Sequence, residues 1–187
     1  TALHLLVDCS GSMGQCATNQ GNAARLEDTR IYQACAAALT LGLALDRLSG
    51  LELMITFFPH TLEDQPYFNV IAKGEHVSAH PERLWHPPYG GTPMDQALNY
   101  AAESVLRCNA TRSIVVVITD GQPNKPEALL REVHQAQDCG IEVYGIGINE
   151  SEGHKYFEHF YDLTDFSNLT YELCTLVGQV FKLPEVA

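Results

Sequence analysis

Blocks of apolar and polar positions alternate along the chain in the order expected of strands followed by helices. Leu3–Val7 is a short apolar run that stops at Asp8, the pattern of a strand buried on both faces. Cys9 to about Asn22 is rich in Gly, Ser, Asn and Gln and reads as a loop. From Leu26 to Leu48, residues such as Ile31, Cys35, Ala38, Gly42 and Leu45 recur at helical spacing, and Ser49-Gly50 stops the helix. Leu51–Phe58 and Phe68–Ala72 follow as strands, and the proline-rich stretch His80–Gly91 as loop. Met94–Leu106 predicts a helix with Thr92 as N-cap and Pro93 in its first turn. Ser113–Thr119 contains Ile114-Val115-Val116-Val117-Ile118, the clearest buried strand. Pro126–Asp138 predicts a helix, Ile141–Ile148 and Tyr161–Thr164 strands, and Leu169–Phe181 a closing helix. The alternation predicts a doubly wound, mostly parallel six-stranded α/β sheet with helices on both faces.

Size and charge narrow the picture. A chain of 187 residues fits one α/β domain spanning 1–187 and can bury a substantial core. The sequence enters a strand within two residues of Thr1, which reads as a domain excised from a longer protein. No apolar run reaches the roughly 20 residues needed to span a bilayer; Ala34–Leu45 is short, alanine-rich and flanked by charges, so it reads as a core helix. A formal net charge of −12 argues against nucleic acid as a partner, because phosphates would be repelled. Six cysteines (Cys9, Cys16, Cys35, Cys108, Cys139, Cys174) show no C-x-x-C spacing. That usage suits reduced thiols and a cytoplasmic setting. Sequons at Asn109, Asn149 and Asn168 point the other way, toward an extracellular one.

The candidate chemistry lies at strand ends. Asp8-Cys9-Ser10-Gly11-Ser12 follows the first strand and puts three oxygen-bearing side chains at alternate positions of a tight turn. Asp120-Gly121 follows the Ile114–Thr119 run, and Gly90-Gly91-Thr92 precedes a helix. In a doubly wound sheet of order 3-2-1-4-5-6, the carboxyl ends of strands one and four meet at the switch point where ligands bind. Asp8, Ser10, Ser12, Thr92 and Asp120 then offer carboxylates and hydroxyls to a hard cation, Mg²⁺ first, with Mn²⁺ or Ca²⁺ as alternatives. A lone D-x-S-x-S also serves as an ordinary Asx or Ser turn; Thr92 and Asp120 in the right contexts favour the metal. Asp95 reads as a first-turn carboxylate favoured by the helix dipole. His80 and His86 around Trp85 lack the spacing of a zinc site and read as solvated loop.

These residues resemble the metal-ion-dependent adhesion site (MIDAS) of von Willebrand factor A (vWA) domains: Asp8-Cys9-Ser10-Gly11-Ser12 the D-x-S-x-S motif, Thr92 the isolated threonine, Asp120 the later aspartate. The resemblance implies that Ser10, Ser12 and Thr92 touch the metal, and that Asp8 and Asp120 act directly or through water. It also implies a protein partner supplying an Asp or Glu to the metal. Gly90–Leu98 and Ile118–Asn124 are similar to bacterial and phage members, including the C-terminal domain of the cobaltochelatase CobT subunit and proteins working beside MoxR-type AAA+ ATPases. An accessory role beside an AAA+ ATPase follows from that resemblance. The stretch between Met13 and Arg25 is longer than the usual step from motif to helix and is expected on the rim of the site.

Two other functions fit parts of the pattern. A Mg²⁺-dependent phosphohydrolase of the haloacid dehalogenase type also has an aspartate after its first strand, but needs a second aspartate where this chain has Ser10. An extracellular adhesive module would share the metal chemistry in another compartment. No P-loop and no G-x-S-x-G elbow occur. The reading is a non-catalytic, metal-dependent binding domain.

Overall fold

The computed structural model describes residues 1–17, 25–60, 65–149, 152–163 and 178. Six strands form one sheet: β1 (Ala2–Asp8), β2 (Glu52–Phe58), β3 (Phe68–Ile71), β4 (Ser113–Thr119), β5 (Ile141–Ile148) and β6 (His159–Leu163). Their order is β3-β2-β1-β4-β5-β6, parallel throughout except that β3 runs antiparallel to β2 at one edge. Every residue of β1 is buried, as a central strand covered on both faces requires.

Helices cover both faces. On one, α1 (Arg30–Leu45) packs Ile31, Cys35 and Ala38 against Leu5, Val7 and Ile118. On the other, α2 (Met94–Leu106) and α3 (Pro126–Asp138) pack Met94, Leu98 and Leu129 against Leu6, Val115 and Val117. Among the described residues, no helix is long and apolar enough to cross a membrane.

Several boundaries differ from the expectation for physical reasons. α1 starts at Arg30 and not at Leu26, because Thr29 is extended and its hydroxyl accepts from the Tyr32 amide at 3.3 Å. Leu26–Asp28 form a separate 3-10 turn. Thr92 is not the N-cap of α2: Pro93 takes that position without a side-chain cap, while the Thr92 amide donates to Asn124 Oδ1 at 2.9 Å. Val77–Ala79 and Pro81–Leu84 form short 3-10 helices near and within the expected loop. The helix expected over residues 169–181 lies outside the described residues, apart from helical Gly178.

One core residue makes stability depend on pH. His4 is buried, Nε2 lies 2.8 Å from Thr56 Oγ1, and Nδ1 has no partner. Burial pushes its pKa down to about 3. The unfolded chain therefore binds a proton below the ordinary histidine value of 6.5 that the native state refuses, and stability is lost as pH falls through that value toward 3. From this residue alone, the protein should be about 2 kcal/mol less stable at pH 5 than at pH 8. Denaturant melts of His4→Leu should show that loss shrunk by the same amount, since Thr56 still donates to Asn69 at 2.7 Å. Equal losses in both proteins would show that His4 titrates normally.

Candidate metal centre

β1 and β4 are direct neighbours, and the chain leaves β1 toward β2 on one side and returns as β4 on the other. The crevice at their carboxyl ends is the switch point. Asp8 ends β1 and Asp120 follows β4, so both enter it, and both are almost wholly buried. The turn after β1 brings hydroxyls to meet them. Ser12 donates to Asp120 Oδ1 at 2.8 Å, and the Ser10 and Ser12 hydroxyl oxygens lie 3.1 Å apart. Asp8 is held from two directions: the Ser10 amide donates to Oδ1 at 2.8 Å and the Thr119 hydroxyl to Oδ2 at 2.7 Å. Ser12 is only half-buried and Gly11 exposed, so the constellation opens to solvent at the turn.

The fifth predicted residue, Thr92, arrives by backbone contacts. The Gly11 amide donates to the Gly90 carbonyl at 2.9 Å, and the Tyr89 amide to the Cys9 carbonyl at 2.7 Å. Gly90 adopts φ +69°, a conformation that favours glycine. A Cβ on Gly91 would lie 2.9 Å from Asn124 Nδ2, so the close approach of this loop to the segment after β4 needs glycine there. Thr92 is buried, but its hydroxyl takes no part in the hydrogen bonds that join the other four residues.

Electrostatically the site is short of positive charge. Burial first, and then the neighbouring charge of Asp120, pushes the Asp8 carboxyl up to about 7, against the hydrogen bonds that favour its ionised form. The nearby cation is Arg30, whose Nη1 lies 2.7 Å from Asp120 Oδ2. Two carboxylates and three hydroxyls around an under-neutralised crevice are a donor set that fits a hard divalent cation. No cluster of three or more His, Cys, Asp or Glu side chains suited to a metal occurs among the described residues, so the hydroxyls are essential to any such site.

Sequence reasoning missed Thr119, Asn124 and Arg30. Thr119 enters the sequence pattern only as the end of the Ser113–Thr119 strand, and Asn124 only as the end of the Ile118–Asn124 stretch. Arg30 carries no usable signal with the helix placed from Leu26; only its observed position as the first residue of α1, where the positive helix end disfavours a cation unless an anion holds it, explains the pairing. Asp95 does lie in the first turn of α2, buried, with Oδ1 unpartnered. His86 Nδ1 lies 2.8 Å from the Pro87 carbonyl oxygen, and His80 Nδ1 3.8 Å from Glu82, consistent with a loop role. Most of the Met13–Arg25 stretch lies outside the described residues.

Comparison with known proteins agrees with this architecture. No curated protein matches the sequence. Among solved structures, an aerotolerance-related membrane protein from Bacteroides fragilis NCTC 9343 is 17% identical, with a TM-score of 0.72, over 98% of this chain and 100% of its own. The pilus adhesin SpaC from Lactobacillus rhamnosus GG is 15% identical, with a TM-score of 0.75, over 97% of this chain but only 30% of its own. The manganese-loaded TRAP protein of Plasmodium vivax is 18% identical, with a TM-score of 0.62, over 92% of this chain and 71% of its own. At such identities the likeness is one of fold. The model of the von Willebrand factor type A domain matches residues 67–173, more than half of the sequence. By that match and by its doubly wound sheet, the chain belongs to the von Willebrand factor type A domain family.

Proposed function

We propose that this domain binds a partner protein through a divalent cation, Mg²⁺ first, held by Asp8, Ser10, Ser12, Thr92 and Asp120. The observation that carries the reading is the pair of buried carboxylates joined through Ser10 and Ser12 at the switch point. Domains of this family are generally protein-interaction modules and often hold a divalent metal. When bound, the cation supplies a Lewis-acidic centre that an Asp or Glu of the partner can complete. Asp8 and Asp120 supply the negative charge, the three hydroxyls add neutral donors, and Thr119 and the Ser10 amide hold Asp8 in place. Mn²⁺ and Ca²⁺ fit the same donors.

The surroundings support a protein partner. Leu26, Tyr32, Trp85 and Tyr89 are large apolar side chains left exposed. Tyr32 is two residues from Arg30 and meets Trp85 edge-on at 6.2 Å, while Tyr89 is tied to Cys9 through the backbone. Exposed aromatic residues beside a polar site are typical of interface anchors. Cys9, Cys35, Cys108 and Cys139 are free thiols, with burial pushing Cys35 up to about 11, which suits a reducing compartment that we take to be the cytoplasm. The partner class we favour there is an AAA+ ATPase, on the sequence resemblance. No catalytic role is assigned.

The test is capture on the immobilised protein with Mg²⁺, followed by a chelator. Proteins released by EDTA and recaptured when Mg²⁺ is restored are the expected result. An identical set retained with and without EDTA would mean that recognition does not pass through a metal.

A further inference from the structure

We propose that Arg30 is a tethered competitor for the metal: its guanidinium pairs with Asp120 and sets how tightly a divalent cation binds. The inference rests on the metal-binding reading above and adds a residue outside the ligand set.

The geometry is that of a largely desolvated ion pair. Arg30 Nη1 lies 2.7 Å from Asp120 Oδ2, with the Arg30 side chain 17% exposed and that of Asp120 not at all. Asp120 Oδ1 already accepts from Ser12. Both carboxylate oxygens are therefore engaged within the protein, one by a hydroxyl that can share a cation and one by a full positive charge that cannot. Arg30 Nε also donates to the Cys16 carbonyl at 3.3 Å, so the guanidinium is positioned by two contacts and does not merely drift over the site.

Charge decides the consequence. Asp8 and Asp120 can contribute two negative charges, and Arg30 cancels one of them. A divalent cation approaching Asp120 must displace the guanidinium or bind beside it, and both cost more in a buried site than in water. The position of Arg30 adds to the effect. As the first residue of α1 it sits at the positive end of the helix, where a cation is disfavoured unless paired. Displacing it from Asp120 breaks a 2.7 Å contact with a fully buried carboxylate at that helix end. The strand-end motif alone would then overstate the affinity of this domain for metal.

Calorimetric titration of Mn²⁺ into wild type, R30Q and R30K tests this, with thermal melts of each protein with and without Mn²⁺. R30Q keeps a polar side chain but no charge, and is expected to bind Mn²⁺ roughly tenfold tighter or more and to gain a larger shift in Tm on adding the metal. R30K keeps the charge and should stay near wild type. Binding by R30Q where wild type gives no signal also supports competition. Equal or weaker binding by R30Q, with wild type binding normally, overturns the competitor role and leaves the metal site standing. A gain shared equally by R30K assigns the effect to side-chain shape and overturns it too. If neither wild type nor R30Q binds, both the competition and the metal-binding reading fall. Should R30Q be unfolded in EDTA, circular dichroism during Mn²⁺ addition replaces calorimetry: recovery of the fold supports the proposal, and no recovery overturns it.

Discussion

Asp120→Ala should give no measurable heat when titrated with Mg²⁺ or Mn²⁺ at concentrations that saturate the wild-type protein, an affinity loss of about 100-fold or more. Even groups outside a metal's own ligand shell cost about 10- to 100-fold when removed, and Asp120 is, with Asp8, one of the two carboxylates that the turn after β1 contacts. The variant also releases Ser12 and Arg30 from their shared acceptor, so its fold must be checked by circular dichroism. Asp120→Asn separates charge from shape: it can still accept from Ser12 but cannot neutralise a cation, and should bind metal almost as poorly. Wild-type affinity in both variants would show that the buried carboxylate serves only to hold the turn after β1 and the start of α1 together.

A large effect on stability is expected away from the site, at Gly145. This residue lies in β5 on the face toward α3, and a Cβ there would meet Phe157 at 2.5 Å and Phe160 at 2.7 Å. Both rings are buried and stack at 6.4 Å with their planes 7° apart, so neither can swing aside cheaply. Overpacking of this kind costs about 1 to 3 kcal/mol, more for a branched residue. Gly145→Val should therefore lose about 3 kcal/mol in denaturant melts, enough to threaten folding of a domain with ordinary stability. Gly121→Ala, where a Cβ has open space, should change stability by less than about 1 kcal/mol. A melt of Gly145→Val indistinguishable from wild type would mean that the two rings leave more room than their stacking implies.

Much of this architecture could be read from residue patterns. The run Ile114–Ile118 and the all-apolar Leu3–Val7 are buried strands because only a centre covered on both faces tolerates them, and they are indeed neighbours. The D-x-S-x-S turn and Asp120 were legible because strand ends in this topology have one place to converge. Edge pairing was not: Phe68–Ile71 is too short for its pattern to say that it would run antiparallel to β2. The start of α1 was missed because apolar spacing extends through Leu26, while one extended residue, Thr29, breaks the helix before it. Thr92 looked like a cap because threonine before Pro93 usually is one; its amide instead pairs with Asn124, a contact between segments 32 residues apart. Arg30 at Asp120 is the same kind of omission, a side chain whose partner is set by tertiary proximity and not by local spacing.

The crevice is also a record of how the chain must come together. Ser12 reaches Asp120 across 108 positions, Thr119 reaches Asp8 across 111, and Arg30 reaches Asp120 across 90. Contacts of such high sequence separation carry a large loop-closure cost and are made only once β1 and β4 lie side by side. Before that, the carboxylates are scattered along an open chain and offer a cation nothing to chelate. A cation bound there as proposed would then act on the unfolding barrier: it would lengthen the lifetime of the finished domain while leaving the rate of reaching it nearly unchanged.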